Sequence, residues 1–274
     1  MAATIESLLA AANTSIRFPY SAMRIAERAR DDEATNAQLA DLIEQDPAFS
    51  MRLLMLVNSP AFGMVKEIES IQDALAQVGR NAIAELALVQ ASASAFNVLE
   101  SQLMRATTFW EHSQLVAALA RDIAVQVGQA ADTAFISGLL HDIGLLLMFH
   151  EVAHDMNQVL EYSLEQHVEL TVSEQHIFGF DHAQLGAALA EAWHLPQVLR
   201  VVMRYHHQPA EAEQFAEIVA CVALANEVAS DPLMEEPKSR SVLVHFEEMF
   251  GCDPFPVLPL YECALKSVSR YMLR

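Results

Sequence analysis

Hydrophobic positions in this chain recur at helical spacing and seldom alternate. The clearest stripe runs through "TTFWEHSQLVAALARDIAVQVG", where His112, Val116, Leu119, Ile123 and Val127 follow at steps of four, three, four and four. Such steps place all five side chains on one face of an amphipathic helix. The next stretch, "DTAFISGLLHDIGLLLMFH", is predicted to be one helix starting from an Asp132 cap. It is apolar nearly all round, which is the pattern of a helix buried on every side.

The punctuation between these stripes is also helical. "QDPAFSMRLLMLVNSPAFG" offers Asp46 as a cap and Pro47 in the first turn, and "NSPAFG" ends the helix. "ESIQDALAQVG" pairs Ser70 with Asp73 near a capping box and stops at Gly79, and a new helix starts from Asn81. "TVSEQHIFG" has Thr171 and Glu174 at capping-box spacing and stops at Gly179. "FDHAQLGAALAEAWHLP" starts from Asp181, with His182 in its first turn, and stops before Pro196. "PQVLRVVMRYHHQP" ends in a histidine pair, and the helix after it carries Phe215, Val219, Val222 and Asn226 along one face.

No strand-like alternation between turn pairs and no repeat of 20–50 residues stands out. The expectation is an all-α chain, with an N-terminal helical layer over residues 1–105 and a helical core over 106–230. Residues 231–274 then form a linker and a C-terminal helical segment. The polar, two-proline stretch Ser230 to Ser241 is taken as that linker. Met51, Met55 and Met64 read as core fillers, and Asn58 and Ser59 as part of a helix terminus.

Composition agrees with helix: Gly and Pro number only 8 and 10 in 274 residues, and 53% of residues are apolar. Charge adds more. Sixteen Lys and Arg face 36 Asp and Glu, a formal net charge of −20, which repels phosphate backbones and anionic lipid. Direct nucleic-acid or membrane binding is therefore not expected, while a protein partner is. Cys221, Cys252 and Cys263 are odd in number and lack C-x-x-C spacing, so they read as reduced thiols. The N-terminus lacks the basic region of a signal peptide, and the apolar run Leu139 to Phe149 is shorter than a membrane span. A cytoplasmic protein is expected.

The candidate chemistry lies inside the most apolar stretch. A buried ionised carboxylate costs several kcal/mol or more unless it is paired or bound to a metal. His141 and Asp142 stand side by side there. Adjacent residues on a helix diverge by about 100°, yet both can reach one ion lying against that edge. Imidazole and carboxylate together suit Mn, Fe, Zn or similar divalent ions. Taken singly, His112, His182 and His206 read as hydrogen-bonded, partly buried histidines.

Taken together, "FWEHS", "GLLHDIG", "FGFDHAQLG" and "RYHHQP" occur in an order that resembles the HD-type metal phosphohydrolase superfamily. "LLMLVNSPAFG", "ESIQDALAQVG" and "FGFDHAQLGAALAEAWHLP" make the resemblance closest to the HDOD domain, the HD-related output domain, over residues 15 to 235. The resemblance implies an HD-domain-like helical bundle and a role in bacterial signalling or regulation. It implies His112 as first metal ligand, His141 and Asp142 as the central pair, and His182, His206 and His207 at the places that add a second metal. The ion would be Fe, Mn, Zn or Mg.

Three departures separate this chain from active relatives of that superfamily. Asn226 stands where the closing ligand is an Asp, and an amide oxygen is a weaker, neutral ligand. Leu145 stands where the cyclic-dinucleotide phosphodiesterase branch has a Lys that could steady a phosphate, and the GYP-containing stretch of that branch is absent. The expectation is a regulatory module that contacts signalling proteins through a degenerate metal site. A metal-dependent phosphohydrolase acting on a nucleotide or cyclic nucleotide is the alternative. A sensor that binds a small ligand in the same cavity is a third reading.

Overall fold

The computed structural model describes residues 3–15, 20–31, 33–45, 49–50, 53–54, 57–58, 68–96, 106–193, 195–231, 237–251, 261–262 and 264–265. Within these the chain is helical and has no strand, as its apolar spacing predicts. It forms two compact units, one from residues 1–16 and 99–261, the other from residues 17–98 and 262–274. The readings at Asp46, Pro47, Met51, Met55, Ser59 and Met64, and those at Cys252 and Cys263, lie outside the described residues.

The smaller unit packs α2 (Tyr20–Arg30) and α3 (Asn36–Glu44) against α4 (Ile71–Phe96). Ile25, Leu39, Ile43, Leu53, Leu75 and Ile83 are its largest buried side chains. Thr35 and Gln38 close a capping box at the start of α3. Arg80 fastens the turn before α3 by donating to the carbonyls of Arg28, Asp31 and Ala34. Ser70 receives the backbone N–H of Asp73 at 3.0 Å, the expected start of α4. Gly79 breaks α4 with φ 78° and ψ 162°, a left-handed φ that glycine adopts without steric cost. Asn58 donates to the Ile68 carbonyl and accepts its N–H, both at 2.7 Å, so its amide joins the two ends of the segment between them.

In the larger unit α1 (Ile5–Ser15) packs on α7 (Ile143–Glu151) and α10 (His182–Ala192). The remaining helices are α5 (Ala106–Gln126), α6 (Ala131–Leu140), α8 (Ala153–Gln166), α9 (Leu170–Phe178), α11 (Gln197–Tyr205), α12 (Ala216–Ser230) and α13 (Pro237–Phe250). α12 is the central post: every residue from Ile218 to Val228 is buried, against α5, α6, α11 and α13. Truncating one of its larger apolar side chains to Ala costs about 2–5 kcal/mol. Cys221 lies in this post, buried and free, and burial together with Glu217 pushes its thiol up to about 12.

Three local expectations are corrected. The stretch read as one helix is two, α6 and α7, joined at His141 and Asp142, and its first helix is capped at Ala130 without a side-chain bond. Asp142 takes φ −102° and ψ 15°, outside helical geometry. Glu174 does not cap its own helix: α9 starts after Glu169, and Glu174 is fully buried. The linker read as Ser230 to Ser241 turns helical at Pro237, where proline's missing N–H is no loss. Thr133–Glu151 is also long and apolar enough by composition to cross a membrane, but 78% of it is buried inside the chain and it breaks at the His–Asp pair.

Candidate metal centre

The break between α6 and α7 creates the site. Side chains that would diverge on a continuous helix meet here instead, with His141 Nε2 3.2 Å from Asp142 Oδ2. Glycines on either side permit it. At Gly138, an added Cβ would press on the backbone of Ala117 in α5 at 3.0 Å. At Gly144, an added Cβ would fall well inside contact with the His182 carbonyl oxygen and 2.6 Å from the Gly186 nitrogen. Backbone therefore packs on backbone between α7 and α10, and the first turn of α10 sits over the His–Asp pair.

That first turn carries His182. Asp181 caps α10 in a full capping box with Gln184, which fixes the turn. His182 Nε2 lies 3.3 Å from Asp142 Oδ1. His206 arrives as the C-cap of α11, with Nε2 3.2 Å from the same oxygen. His207 Nε2 is 2.9 Å from His182 Nε2. On the other flank, His112 of α5 meets Asn226 of α12, with Nε2 3.0 Å from Oδ1. Five of the other six residues expected at the site thus have donor atoms clustered with Asp142, and Asn226 adjoins the cluster through His112. Their potential donor atoms fall into two groups whose members lie within 4.8 Å of one another: His112, His141 and Asp142; and Asp142, His182, His206 and His207. Asp142 belongs to both.

The hydrogen bonds fix which ring nitrogens face inward. His141 Nδ1 donates to the Gly138 carbonyl at 2.7 Å, and His206 Nδ1 donates to the Met203 carbonyl at 2.9 Å. A neutral ring whose proton sits on Nδ1 presents a lone pair at Nε2. Burial, helped by the charges of His141 and His182, pushes His206 down to about 4 even though Asp142 favours its charged form. His206 is therefore neutral at physiological pH, and its lone pair faces a carboxylate.

Burial alone would raise the Asp142 carboxyl, but the imidazoles of His141, His182 and His206 outweigh burial and hold it well below the usual range. His141 Nε2, His206 Nε2 and Asp142 Oδ1 are buried without a hydrogen-bond partner. A cation bound among these buried, unpartnered atoms would satisfy the nitrogens and the carboxylate together. The donor set, imidazole nitrogen with carboxylate oxygen, suits a divalent transition ion. The residues present fit such an ion.

Sequence reasoning missed two polar side chains. Glu174 of α9 receives the His182 backbone N–H at 2.9 Å and its ring Nδ1–H at 2.7 Å, so Nε2 is turned inward. Burial works against charge on His182, but Glu174 and Asp142 outweigh it and raise the ring's basicity. The second is Lys238 of α13, whose ammonium touches His207 Nδ1 at 3.0 Å, Glu169 at 3.1 Å and Glu227 at 3.6 Å. One signal could have pointed to it: Lys238 is the first Lys or Arg after Arg204. Burial, reinforced by His206, His182 and Lys238, holds His207 well below its ordinary value. Burial and the charge of His141 also lower His112.

An all-helical fold with a His–Asp pair at a helix break, ringed by further histidines, defines an HD-type domain. The HDOD domain family model matches residues 16–209, and the chain belongs to that family. An uncharacterised protein of Treponema pallidum is 31% identical over 214 residues, 76% of this chain. The match spans 41% of that relative's own length. The crystal structure of an HDOD domain protein of unknown function from Geobacter sulfurreducens is 25% identical with a TM-score of 0.71, covering 96% of this chain and 94% of that one. A candidate phosphohydrolase from Shewanella amazonensis shares the fold at 23% identity and TM-score 0.74, covering 97% and 96%.

Proposed function

We propose that this chain is a bacterial signal-transduction module that acts by contact with protein partners, and that its HD site holds a divalent metal without efficient turnover. The observation that carries the metal is the buried His206 Nε2, without a hydrogen-bond partner and 3.2 Å from the equally unpartnered Asp142 Oδ1. Asp142 would hold the ion either with His182, His206 and His207 or with His112 and His141, the two groups of donor atoms it joins, and Asn226 flanks the second. A bound ion would supply Lewis acidity and charge neutralisation there.

Three features argue for regulation over hydrolysis. Asn226 withholds a negative charge beside His112, Leu145 supplies no cation, and Lys238 already occupies the outer side of His207. The net charge of −20 favours a partner with a basic docking face in the cytoplasm.

A second reading, hydrolysis of a nucleotide or cyclic-nucleotide phosphoester, draws on the Asp142 carboxylate shared by two donor groups, the arrangement a two-metal site needs. One experiment separates the readings. The full chain is purified without added metal, its metal content is measured, and it is assayed on phosphomono- and diesters with Mn, Fe and Mg. Near-stoichiometric metal that is lost in His141→Ala, with no turnover above that control, is the expected result. Metal-dependent turnover well above the control establishes the enzyme instead, and a wild type without metal removes the metal from both.

A further inference from the structure

The larger unit carries almost all of the chain's charge. Its residue ranges hold 6 Lys and Arg against 24 Asp and Glu, whereas those of the smaller unit hold 10 against 12. Net charge is therefore −18 on one unit and −2 on the other. Within the larger unit, α8 has Asp155, Glu161 and Glu165 and no Lys or Arg between Ala153 and Gln166.

α8 buries one side through Met156 and Val159 and packs on α7 and α9. Its Tyr162 ring stacks on His176 of α9, with centroids 4.3 Å apart and 14° between the planes, so that flank is occupied. Leu164 stands two residues further on, about 200° around the helix, and faces away from the stack. It is 75% exposed, more than any other large apolar side chain among the described residues. Ala153, Asn157 and Leu160 precede it at steps of four, three and four, and none of them is buried. A single exposed Leu is ordinary. A Leu that ends a mainly apolar stripe at helix-pairing spacing, with Glu161 and Glu165 alongside, makes a face that another helix can cover.

Charge selects the occupant. A second copy of the chain would set carboxylates against carboxylates, and an anionic lipid surface would meet a unit at −18, so both are repelled. A helix with apolar residues at the same spacing and Lys or Arg beside them would cover Leu160 and Leu164 and pair with both glutamates. We propose that the Leu160–Leu164 flank of α8 is a docking face for a basic amphipathic helix of a partner protein. The inference rests on the reading of the chain as a module that acts by protein contact, and it gives that contact a location.

The test uses the full chain and a fluorescein-labelled synthetic helix of Leu and Lys, with Leu at positions i, i+3, i+4 and i+7. Fluorescence anisotropy is expected to show the peptide binding to the wild type. Leu164→Gln is expected to weaken binding about tenfold. Val125→Gln, which removes a side chain 61% exposed elsewhere on the same unit, should change it by less than about twofold. Glu161→Lys with Glu165→Lys is expected to weaken binding about tenfold, and the same reversal at Glu211 and Glu213 by less than about threefold. All the substituted side chains are exposed, so helical circular dichroism and metal content should match the wild type.

Equal losses at Leu164 and Val125, equal losses for the two charge reversals, or no binding of the peptide overturns the docking face and leaves protein contact elsewhere on the chain standing. Metal-dependent turnover well above the His141→Ala control overturns the contact reading itself, and that assay does not involve α8.

Discussion

Glu174 holds His182 at two points, accepting its backbone N–H at 2.9 Å and its ring Nδ1–H at 2.7 Å. Both residues are buried. Removing the carboxylate leaves two donors without partners in a closed space, each costing about 1–3 kcal/mol. Glu174→Ala should therefore destabilise the chain by about 2–5 kcal/mol in urea unfolding, and Glu174→Gln by less, because one acceptor oxygen remains. Loss of such a supporting carboxylate lowers metal affinity about 10- to 100-fold. If Glu174→Ala melts like the wild type and titrates metal with the same midpoint, the carboxylate does not orient His182.

Glycine at 144 is a packing requirement as well as part of the His–Asp motif. A Cβ there would collide with the His182 carbonyl and crowd the backbone of Gly186, and neither atom can rotate away. Gly144→Ala should cost about 3 kcal/mol or more, above the usual range for overpacking because the obstacle is main chain. It should also displace His182 and weaken metal binding. Gly79→Ala makes the contrast: an added Cβ there meets nothing, so only its left-handed φ of 78° carries a penalty, about 1 kcal/mol, and metal affinity should hold. Equal losses in the two variants would show that the close approach at Gly144 is relaxed in solution.

Acid should open the larger unit before the carboxylates are titrated. His206 stays neutral down to about 4 in the folded chain, whereas an unfolded histidine protonates near 6.5. Between those values the unfolded state binds more protons, so stability falls as pH falls. At about 1.4 kcal/mol per pH step, His206 alone accounts for about 3 kcal/mol. His112 and His207 are also lowered and act in the same direction. Asp142, held low, keeps its contribution above the ordinary carboxylate range and loses it only below that. His182 is raised, so its contribution is already full below pH 6.5 and offsets nothing in this interval. The thermal midpoint of the metal-free chain should drop steadily from pH 6.5 to 4.5, with a shallower slope in His206→Gln. A flat midpoint across that interval would count against a neutral, buried His206.

What the sequence made legible follows from where the information sits. Helices announced themselves because their apolar spacing is local, and the break at Gly79 because only glycine takes that φ cheaply. The seven candidate residues were picked out through several short blocks in a recognisable order, since no spacing rule links His112 to Asn226 across 114 positions. Three things stayed hidden. The break at Asp142 interrupts a stretch whose apolar pattern runs on unbroken, and it coincides with a backbone contact to α10 that lies far off in sequence. Glu174 looks like a capping residue in isolation, because its partner is eight residues away on another helix. Lys238 sits in a polar, proline-bearing stretch that reads as a linker, and only the packing of α13 on α12 brings it to His207.

Asn226 gives the most direct way to ask whether the site is a weakened version of a stronger one. Its Oδ1 lies 3.0 Å from His112 Nε2, and the residue is only 7% exposed. Asn226→Asp preserves shape and adds a charge. Without metal that charge joins Asp142 in a buried space, so the variant should be less stable than the wild type by about 1–3 kcal/mol. With metal the sign reverses, because a carboxylate is a stronger ligand than an amide for hard and borderline ions. Affinity for Mn2+ should rise about tenfold or more, and saturating metal should raise the melting temperature of the variant further than that of the wild type. The crossover separates a ligand position from a merely structural one: if Asn226→Asp lowers stability equally with and without metal, residue 226 does not reach the ion.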